Sequence, residues 1–265
     1  MLTHIKQKKL LRNFYRYAIS HITYLLFLLS NYLVLNIKNI TIDVKLASSS
    51  ASFYIASLNE FVRVKSFSGE KNVIVFLLDE ISLGDTVMDI GANIGTHSIL
   101  FSKKTSSEGK VFSIEPNNLS ASRLRDNIDL NKLNNIDVFE VGFGEKNKEE
   151  ILSIASDPSY GKSRILKDFI GKPLTQKIHI VNGDEFIRDN KLEIPNVIKI
   201  DVEGYENEVI KGLSNTLNNP KCRVVMCEFN FLGDEDLFEK KGFEVIYSSK
   251  RGLDTHRIYR KFNSK

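Results

Sequence analysis

The run Val87-Met88-Asp89-Ile90-Gly91-Ala92-Asn93-Ile94-Gly95-Thr96-His97 holds residue types suited to binding a nucleotide-like ligand. The residues before Gly91 form a short apolar strand pattern, and those after Gly95 open a helical one. Glycines at 91 and 95 permit a tight turn and leave the backbone uncovered, so a ligand can approach main-chain groups that a side chain would screen. The spacing is G-x-N-x-G, whereas a pyrophosphate loop wants G-x-G-x-x-G.

Asp89 narrows the choice of ligand. A carboxylate beside a pyrophosphate is repulsive, whereas beside a cation it is attractive. S-adenosylmethionine carries an ammonium and a sulfonium and no phosphate, and so matches this loop where NAD does not. Glu115 ends the next strand, 20 residues beyond Gly95, where a carboxylate is placed to accept both hydroxyls of a ribose in either cofactor class. On this reading Asp89→Ala abolishes cofactor binding with the fold intact, and Glu115→Ala weakens it.

A second set lies further along, in Ile198-Lys199-Ile200-Asp201-Val202-Glu203-Gly204. Ligands of open parallel sheets sit at the carboxyl ends of strands, and Asp89, Glu115 and Asp201 all end strands. Asp201 and Glu203 are therefore the candidates for contact with a substrate hydroxyl, and either serves as a general base. Glu203 has a plainer role open to it, as a cap of the helix that follows. His97, in the first turn of a helix, reads as a packing or capping residue. Asp184, Asp201, Glu203 and Glu206 offer hard oxygens that suit Mg²⁺, although a cation is not favoured and no metal ligand is assigned. Without a His-x-x-x-His or cysteine set, zinc is not expected.

The elements that position these residues alternate. Strands are expected at Phe53–Ala56, Phe61–Val64, Thr86–Ile90, Lys110–Ile114, Ile136–Val141, Val197–Ile200, Arg223–Glu228, Phe243–Tyr247 and His256–Tyr259. Helices are expected at Glu70–Ile81, Gly95–Lys103, Leu119–Asn131, Glu206–Asn215 and Glu235–Lys241. Such alternation implies an α/β fold, a mostly parallel sheet with helices on both faces. Residues 151–182 interrupt the rhythm, with two strand-like runs flanking the polar stretch Ser156–Leu174, and form a candidate insertion or lid.

These motifs resemble the class I methyltransferases, and more narrowly the FkbM family of S-adenosylmethionine-dependent methyltransferases. The resemblance rests on Asp89 to Gly95, on Glu115-Pro116-Asn117, on Asn127 to Asn131 and on Ile198 to Gly204, and covers roughly residues 70–230. It implies a Rossmann-like, seven-stranded sheet in the order 3-2-1-4-5-7-6 with the last strand antiparallel, and methyl transfer to a hydroxyl, commonly on a sugar or polyketide. Asp89, Gly91, Asn93, Gly95, Glu115, Pro116 and Asn117 are then the cofactor residues, with Asp201 and Glu203 at the transferred methyl. Asn182-Gly183-Asp184 and Phe143-Gly144-Glu145 depart from the usual family wording.

Composition bounds the rest. The 265 residues are 42% hydrophobic and 26% charged, which excludes disorder, collagen and coiled coil. Cys222 and Cys227 are too few for a disulfide scaffold and read as reduced, packed thiols of a cytoplasmic protein. The first 42 residues hold Lys6, Lys8, Lys9, Arg12, Arg16, Lys38 and no acid, which leaves the remainder of this +4 chain at −2. A nucleic-acid enzyme would carry its positive charge on the folded domain, so the acceptor is expected to be a small molecule, glycan or glycolipid.

Residues 1–45 read as a basic, apolar helical extension, and 46–265 as the catalytic domain. Leu10, Leu11, Phe14, Tyr17 and Ala18 recur at helical spacing, and 21 uncharged residues lie between Arg16 and Lys38. The extension suits packing on the domain or peripheral association with a membrane interface; a span would put the domain on the side away from the cofactor supply. Two other functions compete with a methyltransferase: a membrane-associated cofactor-binding protein without turnover, and an NAD-dependent oxidoreductase.

Overall fold

The computed structural model describes residues 40–47, 49–154, 164–165, 174–229, 236–252 and 254–262. The expected helical arm before residue 40 and most of the polar stretch Ser156–Leu174 lie outside them. Among the described residues no helix is long and apolar enough to cross a membrane.

The described part opens with strands β1 (Ile40–Leu46) and β2 (Ser49–Ile55), an antiparallel hairpin. Residues 40–45, read from sequence as the end of the helical extension, are thus strand, and the hairpin packs its Val44, Leu46, Phe53 and Ile55 into the core of the domain. Helix α1 (Leu58–Ser66) follows, where the alternation in Phe61–Val64 suggested another strand. The reason lies in Ser57-Leu58-Asn59-Glu60. The Ser57 hydroxyl accepts from the Glu60 N–H at 3.1 Å, and the Glu60 carboxylate accepts from the Ala56 N–H. This reciprocal capping satisfies helix-start donors that a four-residue alternation does not address.

After a short 3₁₀ turn at Phe67–Gly69, α2 (Lys71–Glu80) leads into β3 (Thr86–Ile90). The chain continues through α3 (Thr96–Thr105), β4 (Lys110–Ile114), α4 (Asn118–Leu130) and β5 (Ile136–Phe139). The insertion, read as 151–182, joins residues that precede it in a second sheet made of β6 (Gly142–Gly144), β7 (Lys148–Ile154), β8 (Arg164–Ile165) and β9 (Leu174–Asn182), in the order β6-β9-β7-β8. Then come α5 (Gly183–Asp189), β10 (Val197–Ile200), α6 (Glu206–Gly212), α7 (Ser214–Asn218), β11 (Val224–Phe229), α8 (Asp236–Glu239), β12 (Phe243–Arg251) and β13 (Asp254–Lys261).

The central sheet runs β12-β13-β11-β10-β3-β4-β5. Counting only its strands along the chain, this is the expected 3-2-1-4-5-7-6 order, and β13 is antiparallel to both neighbours. Strand parity splits the core into two layers. Val87, Val111, Val197, Val224, Met226 and Ile258 face a layer with Leu77, Ile99 and Leu124 from α2, α3 and α4, and with Phe53 of the hairpin. Met88, Phe112, Ile198, Val225, Cys227 and Tyr259 face the other, with Val209, Ile210, Leu213 and Leu217. Cys222 and Cys227 are both buried free thiols there.

Candidate active site at the carboxyl edge

The loop after β3 is held from below. Gly91 and Ala92 N–H groups both donate to the Ile114 carbonyl, at 2.9 and 3.2 Å. Gly91 has φ +79°, and a Cβ on it would lie 1.9 Å from the Asp201 carbonyl oxygen. Only glycine therefore lets the loop pack against the end of β10. Gly95, φ +86°, starts α3 and packs tightly on Leu124. Asn93 is also left-handed, φ +51°, a conformation asparagine tolerates better than most side chains.

Glu115 closes the loop. One carboxylate oxygen accepts from the Asn93 N–H and the other from the Asn117 N–H, each at 2.8 Å. Burial pushes its pKa up to about 7, against the two N–H donors that favour the carboxylate. Asn117 caps α4 by accepting from the Leu119 and Ser120 N–H groups, and the Pro116 carbonyl accepts from Gln176 of β9 at 2.9 Å. The insertion sheet thus braces the Glu115-Pro116-Asn117 turn from outside.

The expectation that Asp89→Ala leaves the fold intact needs correction. Its side chain is fully buried beneath the loop, with one oxygen 2.9 Å from Lys199 Nζ and the other accepting from Ser98 Oγ at 2.6 Å. Both oxygens are already engaged by the protein. Asp89→Ala would strand a buried ammonium, so it is not a change that leaves the fold intact.

Lys199 belongs to an otherwise apolar strand and is paired in register with Asp89 across β10 and β3. Its Nζ also lies 3.3 Å from the Gly91 carbonyl and 3.4 Å from Asp201 Oδ2. Burial works against its charge, but Asp89 and Asp201 outweigh that and raise its pKa. Asp201 remains accessible on about a quarter of its side chain, 23%. Burial acts to raise the Asp201 pKa, yet Lys199 and a hydrogen bond from Glu228 hold it well below the usual carboxylate range.

Strand parity gathers further groups that sequence reasoning missed. Glu228 of β11 and His256 of β13 are register partners on the same face as Asp89 and Lys199, with His256 Nε2 3.3 Å from Glu228 Oε2. Glu70, at the N-cap of α2, brings its carboxylate to 3.8 Å from His256 Nε2 and 3.9 Å from His97 Nε2. Burial and then Asp201 push Glu228 up to about 8 and raise Glu70 as well. His97 is pushed down to about 3 by burial and then by Lys199, so its contact with Glu70 is between a neutral imidazole and a carboxyl, not an ion pair. Its ring stacks on Phe101, as a packing role requires, but Nε2 points into the polar cluster and makes no hydrogen bond.

The signals for these residues were present but unread. A lysine inside Val-Ile-Lys-Ile demands a buried acid. A terminal antiparallel strand brings its first residues to the edge where parallel strands end.

Other expected contacts are not brought together. Asp184 is committed to α7, accepting from the Asn215 and Thr216 N–H groups and the Thr216 hydroxyl. Glu206 turns back onto the Gly204 N–H at 2.9 Å, in the turn that precedes α6. The oxygen cluster of Asp184, Asp201, Glu203 and Glu206 therefore does not assemble. Glu203 stands half-buried beside Asp201 in the chain, at the rim.

A carboxylate-rimmed edge with a glycine turn fits a cationic, ribose-bearing cofactor. Glu115 retains acceptor capacity beyond its two backbone bonds, and the loop between Gly91 and Gly95 has G-x-N-x-G in place of the glycine pattern of a pyrophosphate loop.

Residues 89–257 match the family model described as the methyltransferase FkbM domain. The chain is 34% identical over 179 residues to the hexuronic acid methyltransferase AglP of Haloferax volcanii, covering 66% of this chain and 70% of that one. It is 23% identical to the 2-O-methyltransferase NoeI of Sinorhizobium fredii, covering 63% of this chain and 76% of that protein. Among solved structures, a precorrin-6y C5,15-methyltransferase from Geobacter metallireducens aligns with a TM-score of 0.45 at 16% identity, over 72% of this chain and 87% of that one.

Proposed function

The chain belongs to the FkbM methyltransferase family and is an S-adenosylmethionine-dependent methyltransferase, and we propose that it methylates a hydroxyl of a sugar, glycolipid or related small molecule. The observation that carries this is the contact of the glycine turn with the end of β10. A Gly91 Cβ would meet the Asp201 carbonyl, so the turn and the Asp201 backbone are immediate neighbours, and Lys199 Nζ bridges the Gly91 carbonyl to the Asp201 carboxylate at 3.3 and 3.4 Å. The names of the relatives support the acceptor class, since one acts on a hexuronic acid and another is a 2-O-methyltransferase.

When bound, S-adenosylmethionine supplies a methyl group on a positively charged sulfur. Glu115 accepts the ribose hydroxyls, and Asn93, Pro116 and Asn117 shape the wall around them. Gly91 and Gly95 let the backbone approach. Asp89 acts through Lys199, which ties the loop carbonyl at Gly91 to Asp201. Asp201 accepts the hydrogen of the acceptor hydroxyl and orients its oxygen. A low pKa does not disqualify it as the base: as the C–O bond formed and the C–S bond of the sulfonium broke, its electron pair returning to a neutral thioether, the hydroxyl oxygen would become oxonium-like and its proton strongly acidic, so a weak carboxylate base suffices. The proton leaves through the exposed side of Asp201. Glu203 assists from the rim. Alignment supplies the larger share of the rate, on the order of 7–11 kcal/mol in favourable cases.

The six basic residues of the first 42 support peripheral association with an anionic membrane surface, where lipid-linked sugars would be met. Co-sedimentation with anionic vesicles, compared with a chain lacking residues 1–38, tests this.

The central experiment is incubation of the purified chain with S-adenosylmethionine and a panel of glycosides, uronic acid glycosides included, with products read by mass spectrometry. Methylation of a sugar hydroxyl is expected. Tight cofactor binding with no transfer to any acceptor, including a crude glycan and lipid extract, would return the chain to the binding-protein alternative.

A further inference from the structure

The polar cluster on the hairpin side of the sheet brings four carboxyl groups and two imidazoles together. Asp89, Asp201, Glu70 and Glu228 contribute the carboxyl groups, and the basic groups acting on them are Lys199, Arg63, His97 and His256. Lys199 is committed to Asp89 and Asp201. The outer part of the cluster, Glu70, Glu228 and His256, offers one donor atom each, all within 4.8 Å of one another. Donors bound to one transition-metal ion at about 2.1 Å stand roughly 3.0–3.4 Å apart when adjacent. The His256 Nε2 distances of 3.3 Å to Glu228 and 3.8 Å to Glu70 are close to that spacing without any ion present.

A second observation is independent of the acids. His97 is buried, its side chain 6% exposed, and Nε2 has no hydrogen-bond partner although it lies 3.9 Å from the second oxygen of Glu70. A buried imidazole nitrogen aimed at carboxyl groups without a hydrogen-bond partner is an unsatisfied donor or acceptor of the kind a bound ion would satisfy. Glu70 stands at the N-cap of α2, and His97, Glu228 and His256 lie on α3, β11 and β13, with Glu228 and His256 set opposite each other by strand register.

We propose that Glu70, Glu228 and His256 form a site for one first-row divalent transition ion, with His97 as the adjacent fourth donor. Mixed imidazole and carboxylate ligation favours Mn²⁺, Fe²⁺ or Zn²⁺ over Mg²⁺ and Ca²⁺, which prefer all-oxygen surroundings. The site borders Asp201, so the ion would take acceptor oxygens into its open positions and hold the sugar against the transferable methyl. That use rests on the methyl-transfer reading, whereas the existence of the site does not.

Calorimetric titration of the full chain with MnCl₂, ZnCl₂ and MgCl₂, each without S-adenosylmethionine, tests it. One Mn²⁺ or Zn²⁺ per chain is expected, with Mg²⁺ weaker. Glu228→Gln and His256→Gln should weaken Mn²⁺ by ~10-fold or more, while Glu203→Gln leaves it unchanged. Should either cluster variant fail to fold, pulsed electron paramagnetic resonance of Mn²⁺ on the unaltered chain decides, because a ligated imidazole gives a nitrogen coupling. No transition-ion binding by the folded chain, binding untouched by the two variants, or Mn²⁺ without nitrogen coupling would each overturn the proposal. S-adenosylmethionine is titrated in parallel: cofactor binding without metal binding removes only the metal site, and metal binding without cofactor binding removes only its proposed use.

Discussion

Asp89 and Lys199 stand side by side on neighbouring parallel strands, and their charged groups meet at 2.9 Å with 0% and 2% of their side chains exposed. Neither charge is tolerable there alone. Removing one partner of a buried pair typically costs ~3–5 kcal/mol, because the other is left uncompensated. Asp89→Ala and Lys199→Met are each expected to lower unfolding stability on that scale in urea denaturation. The double variant should lose clearly less than the sum of the two; additive losses would mean that the pair is not coupled.

The glycine turn gives a graded prediction. At Gly91 an added Cβ meets backbone, the Asp201 carbonyl at 1.9 Å, whereas at Gly95 it meets the end of the flexible Leu124 side chain at 2.2 Å. Both positions have positive φ, which alone costs an L-residue ~1–2 kcal/mol. Gly91→Ala should abolish S-adenosylmethionine binding in calorimetry. Gly95→Ala should weaken it less, with partial recovery on adding Leu124→Ala. Equal effects at the two positions would contradict the close contact of turn and strand.

Glu115 links pH to both stability and binding, in opposite directions. Its pKa rises from 4.5 to about 7 on folding, so the fold prefers the protonated form. The stability it contributes is complete below pH 4.5 and is lost as pH rises through 7, ~3 kcal/mol in all. Cofactor binding needs the carboxylate as acceptor, so affinity should rise over the same interval. Glu115→Gln should flatten both profiles in denaturation and calorimetric series from pH 5 to 8.5, at lower affinity throughout. Parallel slopes in the variant and the unaltered chain would assign the titration to another group.

Asp201 and Glu203 separate by kinetics. Asp201→Asn keeps the shape but removes the base, and kcat is expected to fall by about 10² to 10⁴ with the S-adenosylmethionine dissociation constant little changed. Glu203→Gln at the rim should act mainly on the acceptor KM. A larger loss of kcat in Glu203→Gln than in Asp201→Asn would reverse the two roles.

The framework was legible because buried parallel strands leave a plain trace. Thr86–Ile90, Lys110–Ile114 and Val197–Ile200 occur with the boundaries read from their apolar runs. Their spatial order came from the resemblance, since hydrophobic pattern carries none. Phe61–Val64 misled because four alternating residues are weaker than the Ser57–Glu60 capping pair that starts α1. The cofactor turn announces itself through contiguous residues. The outer cluster does not: Glu70, Glu228 and His256 are scattered along the chain, and meet only once sheet order and strand parity are both fixed.

The hairpin carries one more lesson, in how a helix can stand in for a strand. Asn127 and Asn131 of α4 present their amides to β2: Asn127 Oδ1 accepts from the Tyr54 N–H, Asn131 Oδ1 accepts from the Ser52 N–H, and Asn131 Nδ2 donates to the Ser52 carbonyl. Four residues of helix advance roughly 6 Å, two residues of strand roughly 6.6 Å, and the two rulers agree closely enough for side-chain amides to imitate a neighbouring peptide backbone. The imitation stoppers the open edge of the hairpin, which is thereby denied to strands of other molecules. It also fixes a phase, because a slip of one residue in either ruler would unfasten both asparagines together. Since Asn127 Nδ2 holds the Ile94 carbonyl in the same grip, the clasp that locks the hairpin is also the peg on which the cofactor turn hangs.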